Sequence, residues 1–375
     1  MKLFHLSDLH IGKIVNKFSM IEDQIYIFNR ITELIKEHKP DGVIIAGDVY
    51  DKSIPSAEAV SLFDDFLTEL SHCGTAVYLI SGNHDSAERI AYAQSILKRN
   101  DIYISPVYDG SVEPVSVRDE FGEINIYLMP FVKLFNVRQA FPEENIESYN
   151  DAFRLAVEKM DVDTSKRNIL VAHQFVTGSE GSGSEDAVVG AVDNVDSDIF
   201  NDFDYVALGH IHGAQHIGRK TVRYCGTPLK YSFSECRHKK SVTMLDIGAK
   251  GEEIKITELP LVPMRDMREM TGSFEELFEE GKNNPSDDYL RIVLTDTDRI
   301  PDAIGGLRPF YPNIMILEYA IDREKYDGIT ETVINTERYS PMELFSKFFN
   351  IQNGRDMEED QRELMEELIN EIWTG

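Results

Sequence analysis

Apolar residues in the first hundred positions follow two rhythms. Leu3 to Leu6, Gly42 to Ala46 and Ala76 to Ile80 are short unbroken runs, too brief for helices, and read as buried β-strands. Between them Ile21, Ile25, Phe28, Ile31, Leu34 and Ile35 recur at spacings of three and four, as do Leu62, Phe66, Leu67 and Leu70. That period predicts amphipathic helices, and strand, helix and strand in alternation predict βαβ units with parallel strands. Asn168 to Ala172 and Tyr205 to Leu208 are further strand candidates, while Glu123 to Met129 and Ser241 to Leu259 look antiparallel. The expectation is an α/β two-sheet sandwich over residues 1–260.

Two prolines in Pro260-Leu261-Val262-Pro263 interrupt this pattern. Beyond them a strand (Met267 to Thr271), a helix opened by the capping-box-like Ser273-Phe274-Glu275-Glu276, and strands at Tyr289 to Leu294 and Ile314 to Tyr319 predict a small α+β domain over 261–335. Residues 336–375 read as a helical tail. Ser340-Pro341 opens one helix as N-cap and first-turn proline, Asn353-Gly354 closes it, and Met357 to Trp373 makes another.

Composition narrows the partners. With 38 Lys+Arg against 66 Asp+Glu the formal net charge is −28, which disfavours whole-surface attraction to a polyanion. A nucleic-acid substrate would need a local reversal of sign. Cys73, Cys225 and Cys236 are odd in number and form no CxxC pair, so reduced thiols are expected and structural zinc is not. No run of residues reaches a membrane span, and Met1 leads straight into a strand with no basic leader, so the expected location is cytoplasmic, with no membrane partner.

The residues that follow the predicted strands carry the chemistry. They are Asp8-Leu9-His10, Gly47-Asp48-Val49-Tyr50-Asp51, Gly82-Asn83-His84-Asp85, Ala172-His173-Gln174 and Gly209-His210-Ile211-His212. In parallel α/β sheets ligands bind outside the carboxyl ends of the strands, so these clusters converge on one crevice. Taken singly, each has a plain structural explanation: GD after a strand is usually a turn, and alternate histidines can face opposite sides of a strand. Together they form an oxygen and nitrogen donor set without thiolate, which suits two divalent ions such as Mn²⁺ or Fe²⁺ better than structural Zn²⁺. The other histidines (His5, His38, His72, His216, His238) fall where a strand interior, a helix end or a loop explains them.

The ordered motifs DxH, GDxxD, GNHD, H and GHxH closely resemble those of the calcineurin-like metallophosphoesterase superfamily. Asp8 to Lys13 (DLHIGK), the added small domain, Tyr224 to Leu229 and Ser340 to Phe345 resemble the branch that contains DNA-processing nuclease subunits. The resemblance implies a metallophosphoesterase sandwich with a capping domain, and two divalent metal ions, Mn²⁺ foremost. By motif it places Asp8, His10 and His212 on one ion and Asn83, His173 and His210 on the other, with Asp48 bridging. It makes His84 the general acid or a transition-state donor and has Asp85 orient its imidazole. It also implies DNA exonuclease and hairpin endonuclease activity, a coiled-coil ATPase partner docking on the tail, and a homodimer through helices near Pro55 to Leu70 and Ala87 to Lys98. Two ions bring +4 against −2 from Asp8 and Asp48, so the crevice would be positive inside an acidic shell. Lys13, Lys52, Lys230 and the cluster Arg237-His238-Lys239-Lys240 are candidate phosphate contacts. Two other readings stand beside this one: a phosphodiesterase for cyclic nucleotides or phosphoproteins, and a non-enzymatic scaffold of the same fold.

Overall fold

The computed structural model describes residues 1–182, 194–320, parts of 342–349, and 357–373. It divides into two compact units, residues 1–267 and 268–375.

The first unit opens with β1 (Lys2–Leu6), α1 (Ile21–His38), β2 (Gly42–Ala46), α2 (Ala57–His72), β3 (Ala76–Ile80) and β4 (Ile102–Ile104), four parallel strands in sequence order. The chain then builds a second sheet from β5 (Val115–Asp119), β6 (Gly122–Leu128), α3 (Tyr149–Glu158), β7 (Arg167–His173), β8 (Tyr205–Gly209), β9 (Gln215–His216) and β10 (Val222–Tyr224). It returns to the first sheet as β11 (Ser241–Asp246) and β12 (Lys255–Pro260), both antiparallel to their neighbours. The sheet orders are β12-β11-β1-β2-β3-β4 and β9-β10-β8-β7-β6-β5.

Side-chain alternation explains why the sheets stack. Ile124, Ile126, Ile169, Val171 and Ala207 pack with Leu3, Ile44, Tyr78 and Ile80 in one buried cluster. Their alternates Tyr127, Leu170, Ala172, Val206 and Leu208 join Phe153 of α3 in another. Each central strand of the second sheet is thus apolar on both faces, as a covered sheet requires. α2 is capped by Ser56, whose side chain accepts from Ala59 N, and Phe66 of α2 stacks on Phe28 of α1 at 4.6 Å. Ile25, predicted on the buried stripe of α1, is 45% exposed, because it lines the groove between α1 and α2 rather than facing the sheet.

A single helix over Ala87 to Lys98 does not form. The segment makes two one-turn helices, Ala87–Ile90 and Gln94–Leu97, separated by Ala93 at φ 60°. Ile90 is its only buried residue, so no apolar stripe holds a continuous helix there.

The second unit has β13 (Met267–Gly272), α4 (Phe274–Asn283), β14 (Tyr289–Leu294), α5 (Ala303–Leu307) and β15 (Ile314–Tyr319), its sheet ordered β13-β14-β15. Ser273 and Glu276 form a reciprocal capping box at the start of α4. Leu277, Leu290, Ile292, Leu294, Leu307 and Tyr311 fill its core. The last helix, α6 (Glu359–Trp373), leaves Leu364 and Leu368 58% and 41% exposed. The predicted helix boundaries at Ser340-Pro341 and Asn353-Gly354 lie outside the described residues.

Candidate metal centre

The loops that leave β1 and β2 run side by side. Asp8 N donates to Gly47 O at 3.0 Å, His10 N to Asp48 O at 2.9 Å and Ile11 N to Val49 O at 2.9 Å. Gln24 on α1 ties the first loop down, its side chain donating to Leu9 O and His10 O and accepting from Gly12 N. Tyr231 OH adds a bond to Leu9 O at 2.6 Å. So held, the backbone adopts left-handed φ at Asp8 (52°), His10 (44°), Asp48 (49°) and His210 (99°). Non-glycine residues rarely take that region, and where they do, functional sites are over-represented. Gly82 is needed for the close approach of the third loop, since a Cβ there would sit 2.1 Å from Asp48 Oδ1.

All seven residues expected to ligate metal come together. His10 Nε2 faces His212 Nε2 at 3.1 Å, and Asp8, His10 and His212 offer ligand atoms that lie within 4.8 Å of one another. His173 Nε2 lies 2.9 Å from Asn83 Oδ1, and His210 Nδ1 lies 3.0 Å from the same oxygen. Asp48 Oδ2 stands between these groups, 3.7 Å from His10 Nε2 and 3.4 Å from His173 Nε2. The Asp8 carboxylate also accepts from His210 N at 3.0 Å, joining the first loop to the last. Asp8, His10, Asp48, His173 and His212 are all buried.

This set fits a cation better than it fits itself. His173 Nδ1 lies 2.8 Å from Ala46 O, an acceptor that draws the ring proton and leaves the Nε2 lone pair facing Asn83 Oδ1 and Asp48 Oδ2. Acceptors pointing at one another repel unless positive charge lies among them. Burial works against an imidazolium at His173, yet the Asp48 carboxylate outweighs it and pushes the pKa up to about 9. Burial pushes the Asp8 carboxyl up to about 6, even with His173 and His212 nearby. Burial also holds His10 well below its usual value.

His84 reaches the same crevice, with Nε2 3.9 Å from Asp48 Oδ2. The Asp85 carboxylate accepts from Val49 N, Tyr50 N and Gly82 N at 3.1, 3.0 and 2.9 Å. It stitches the second and third loops together. The described partner of His84 Nδ1 is the carbonyl oxygen of Asp51 at 3.0 Å. The motif GDVYD contained that residue, but nothing in its spacing tells a backbone carbonyl from a side chain.

Three of the basic candidates are already engaged. Lys240 is buried, with its ammonium on His212 O, Thr227 Oγ1 and Glu235. Lys230 pairs with Asp266 at 2.8 Å and donates to Cys236 O at 2.7 Å. Lys13 lies at the crevice but pairs with Asp51 at 2.7 Å. Lys52 is exposed. Glu235, whose buried carboxylate lies 3.4 Å from His212 Nδ1, was not singled out from sequence: in Ser232-Phe233-Ser234-Glu235 it resembles an ordinary turn residue.

Residues 1–214 match the family described as calcineurin-like phosphoesterase, and residues 263–353 match one described as type 5 capsule protein repressor C-terminal domain. The chain is 34% identical over 330 residues to a protein of Staphylococcus epidermidis named as the D subunit of nuclease SbcCD, covering 86% of each chain. A Staphylococcus saprophyticus protein of the same name is 30% identical over 377 residues, covering 98% of each. The chain therefore belongs to the calcineurin-like phosphoesterases and, among them, to the family of SbcCD nuclease D subunits. It is a metal-dependent phosphoesterase by fold and donor set.

Proposed function

We propose that the protein is a dinuclear-metal DNA nuclease subunit that works with an SbcC-type coiled-coil ATPase, as an exonuclease and hairpin endonuclease in DNA repair and recombination. The observation that carries this reading is the convergence of seven nitrogen and oxygen donors from five strand ends on one buried crevice. In it Asp8, His10 and His212 hold one divalent ion, Asn83, His173 and His210 hold the other, and Asp48 serves both. Mn²⁺ suits a thiolate-free set of this kind. Two such ions supply an activated water and offset charge on the phosphate during in-line displacement.

The chain's own residues orient and transfer. His84 donates Nδ1–H to Asp51 O, so a proton carried on Nε2 faces the crevice and can pass to the leaving oxygen. Asp85 holds the loops of Asp48 and His84 in register through its backbone bonds. The exposed leucines of α6, together with Phe345 and Phe348, whose rings lie 6.3 Å apart, are the surface that docks on the base of the ATPase coiled coil. Residues 1–260 form the nuclease domain, 261–335 the capping domain and 336–375 the partner-binding tail. Two copies pair through α2 and the segment after His84, giving a heterotetramer with the ATPase in the cytoplasm. Among the described residues no helix is long and apolar enough to cross a membrane.

The test is incubation with Mn²⁺ and a labelled DNA hairpin, beside bis-p-nitrophenyl phosphate and a cyclic nucleotide. Cleavage of the hairpin is expected. Activity confined to the small esters would overturn the DNA reading. DNA affinity is expected to fall steeply between low and moderate salt despite the charge of −28, because a local positive track releases counterions.

A further inference from the structure

Behind His212 lies a charged pair that the reading above does not use. Glu235 ends the short 3-10 turn Phe233–Glu235 with its carboxylate fully buried, and Lys240, just before β11, is only 8% exposed. Removing an ion pair from water costs several kcal/mol per ion, so such a pair persists where geometry gives it partners. Here it has them. Lysine carries three N–H donors, and those of Lys240 meet Glu235 Oε2, Thr227 Oγ1 at 2.6 Å and the backbone carbonyl of His212 at 2.9 Å. Glu235 Oε1 faces His212 Nδ1 at 3.4 Å and accepts from Tyr231 N at 3.3 Å. The pair thus grips His212 twice, by its ring and by its main chain.

We propose that Glu235, anchored by Lys240, is the positioning residue that fixes the tautomer and ring orientation of His212, and so sets the affinity of one of the two cation positions. This rests on the dinuclear reading. A carboxylate on the remote nitrogen of a ligating histidine holds the proton there and makes the other nitrogen a stronger donor. His173 has only a neutral carbonyl, Ala46 O, in the corresponding place. The two cation positions are therefore inequivalent, and the one served by His212 is the tighter.

The test is calorimetric titration of metal-free, full-length protein with Mn²⁺, with Co²⁺ absorption as a second readout. Wild type is compared with Glu235→Gln and with the double variant Glu235→Gln/Lys240→Met, which leaves no unpaired buried charge. Wild type is expected to bind two ions. Both variants should lose about 10- to 100-fold in affinity at one position, keep the other within about twofold, and alter the Co²⁺ band of the weakened position alone. The proposal is overturned if a folded variant binds both ions as wild type does with an unchanged Co²⁺ spectrum. It is equally overturned if both positions weaken together in step with the melting temperature. Failure of the wild type to bind two ions would sink the dinuclear reading itself, an outcome visible before any variant is compared.

Discussion

The crevice and the last helix handle unfavourable groups in opposite ways. At the crevice the chain buries charge, with Asp8 and His173 fully enclosed and acceptors turned toward one another. Along α6 it exposes apolar surface, leaving Leu364 and Leu368 in water. Each arrangement would be a fault in a self-sufficient fold, since buried ions need partners and short amphipathic helices need a face to pack on. Local inconsistency of this kind gathers at functional sites. On the function proposed above, the difference lies in what completes each region: compact positive charge at the crevice, and an extended apolar surface at the tail.

If that contrast is right, the two regions should fail separately. Asp48→Asn should remove cleavage altogether and lose bound metal, because the carboxylate faces both groups of donors. Calorimetry that still finds two ions in this variant would break the assignment. Ending the chain at Glu337 should abolish association with the coiled-coil ATPase, yet leave metal-dependent cleavage of accessible DNA within about threefold, because the crevice donors all precede residue 213. Co-purification of the shortened chain at unchanged affinity would refute the tail's role. His84→Gln should keep both ions and lose cleavage by about 10²-fold or more. Loss of an ion from that variant would move His84 into the ligand set.

A quieter test compares the crevice histidines with one that is buried for packing alone. His5 on β1 is fully enclosed, its Nδ1 3.0 Å from Tyr205 OH, and burial pushes its pKa down to about 3. The unfolded chain takes up this proton below about pH 6.5, whereas the native chain refuses it until about pH 3. Unfolding in that window therefore absorbs a proton, and stability falls as pH falls, by at most about 1.4 kcal/mol per unit. His5→Gln should flatten this slope in acid-unfolding curves. An unchanged slope would show that other groups dominate.

Much of the architecture was legible because periodicity reports burial directly. Gly42–Ala46, Ala76–Ile80, Tyr289–Leu294 and Ile314–Tyr319 form as their apolar runs predict, and Ser273 caps its helix as its spacing requires. The short strands β4, β5 and β10 carried no comparable run, since they owe their form to neighbours already in place. The crevice was legible from the polar tips of strands. What lay behind it was not. Lys240 and Lys230 read as phosphate contacts because nothing local reveals which lysine turns inward, and the three backbone bonds of the Asp85 carboxylate leave no mark in the sequence either. The partners of a buried polar group come from distant strands, and no local pattern encodes them.

The left-handed backbone at Asp8, His10 and Asp48 also governs how mutagenesis at the crevice should be interpreted. A β-carbon in that conformation costs about 1–2 kcal/mol, a burden that short polar side chains lessen and glycine escapes. Alanine scanning would therefore measure two losses at once, the donor and the backbone tolerance. At Asp8 the glycine variant should melt higher than the alanine variant, inverting the order found at positions of ordinary φ. The gap between those two melting temperatures isolates conformational strain from ligand chemistry, a separation that alanine substitution alone does not provide.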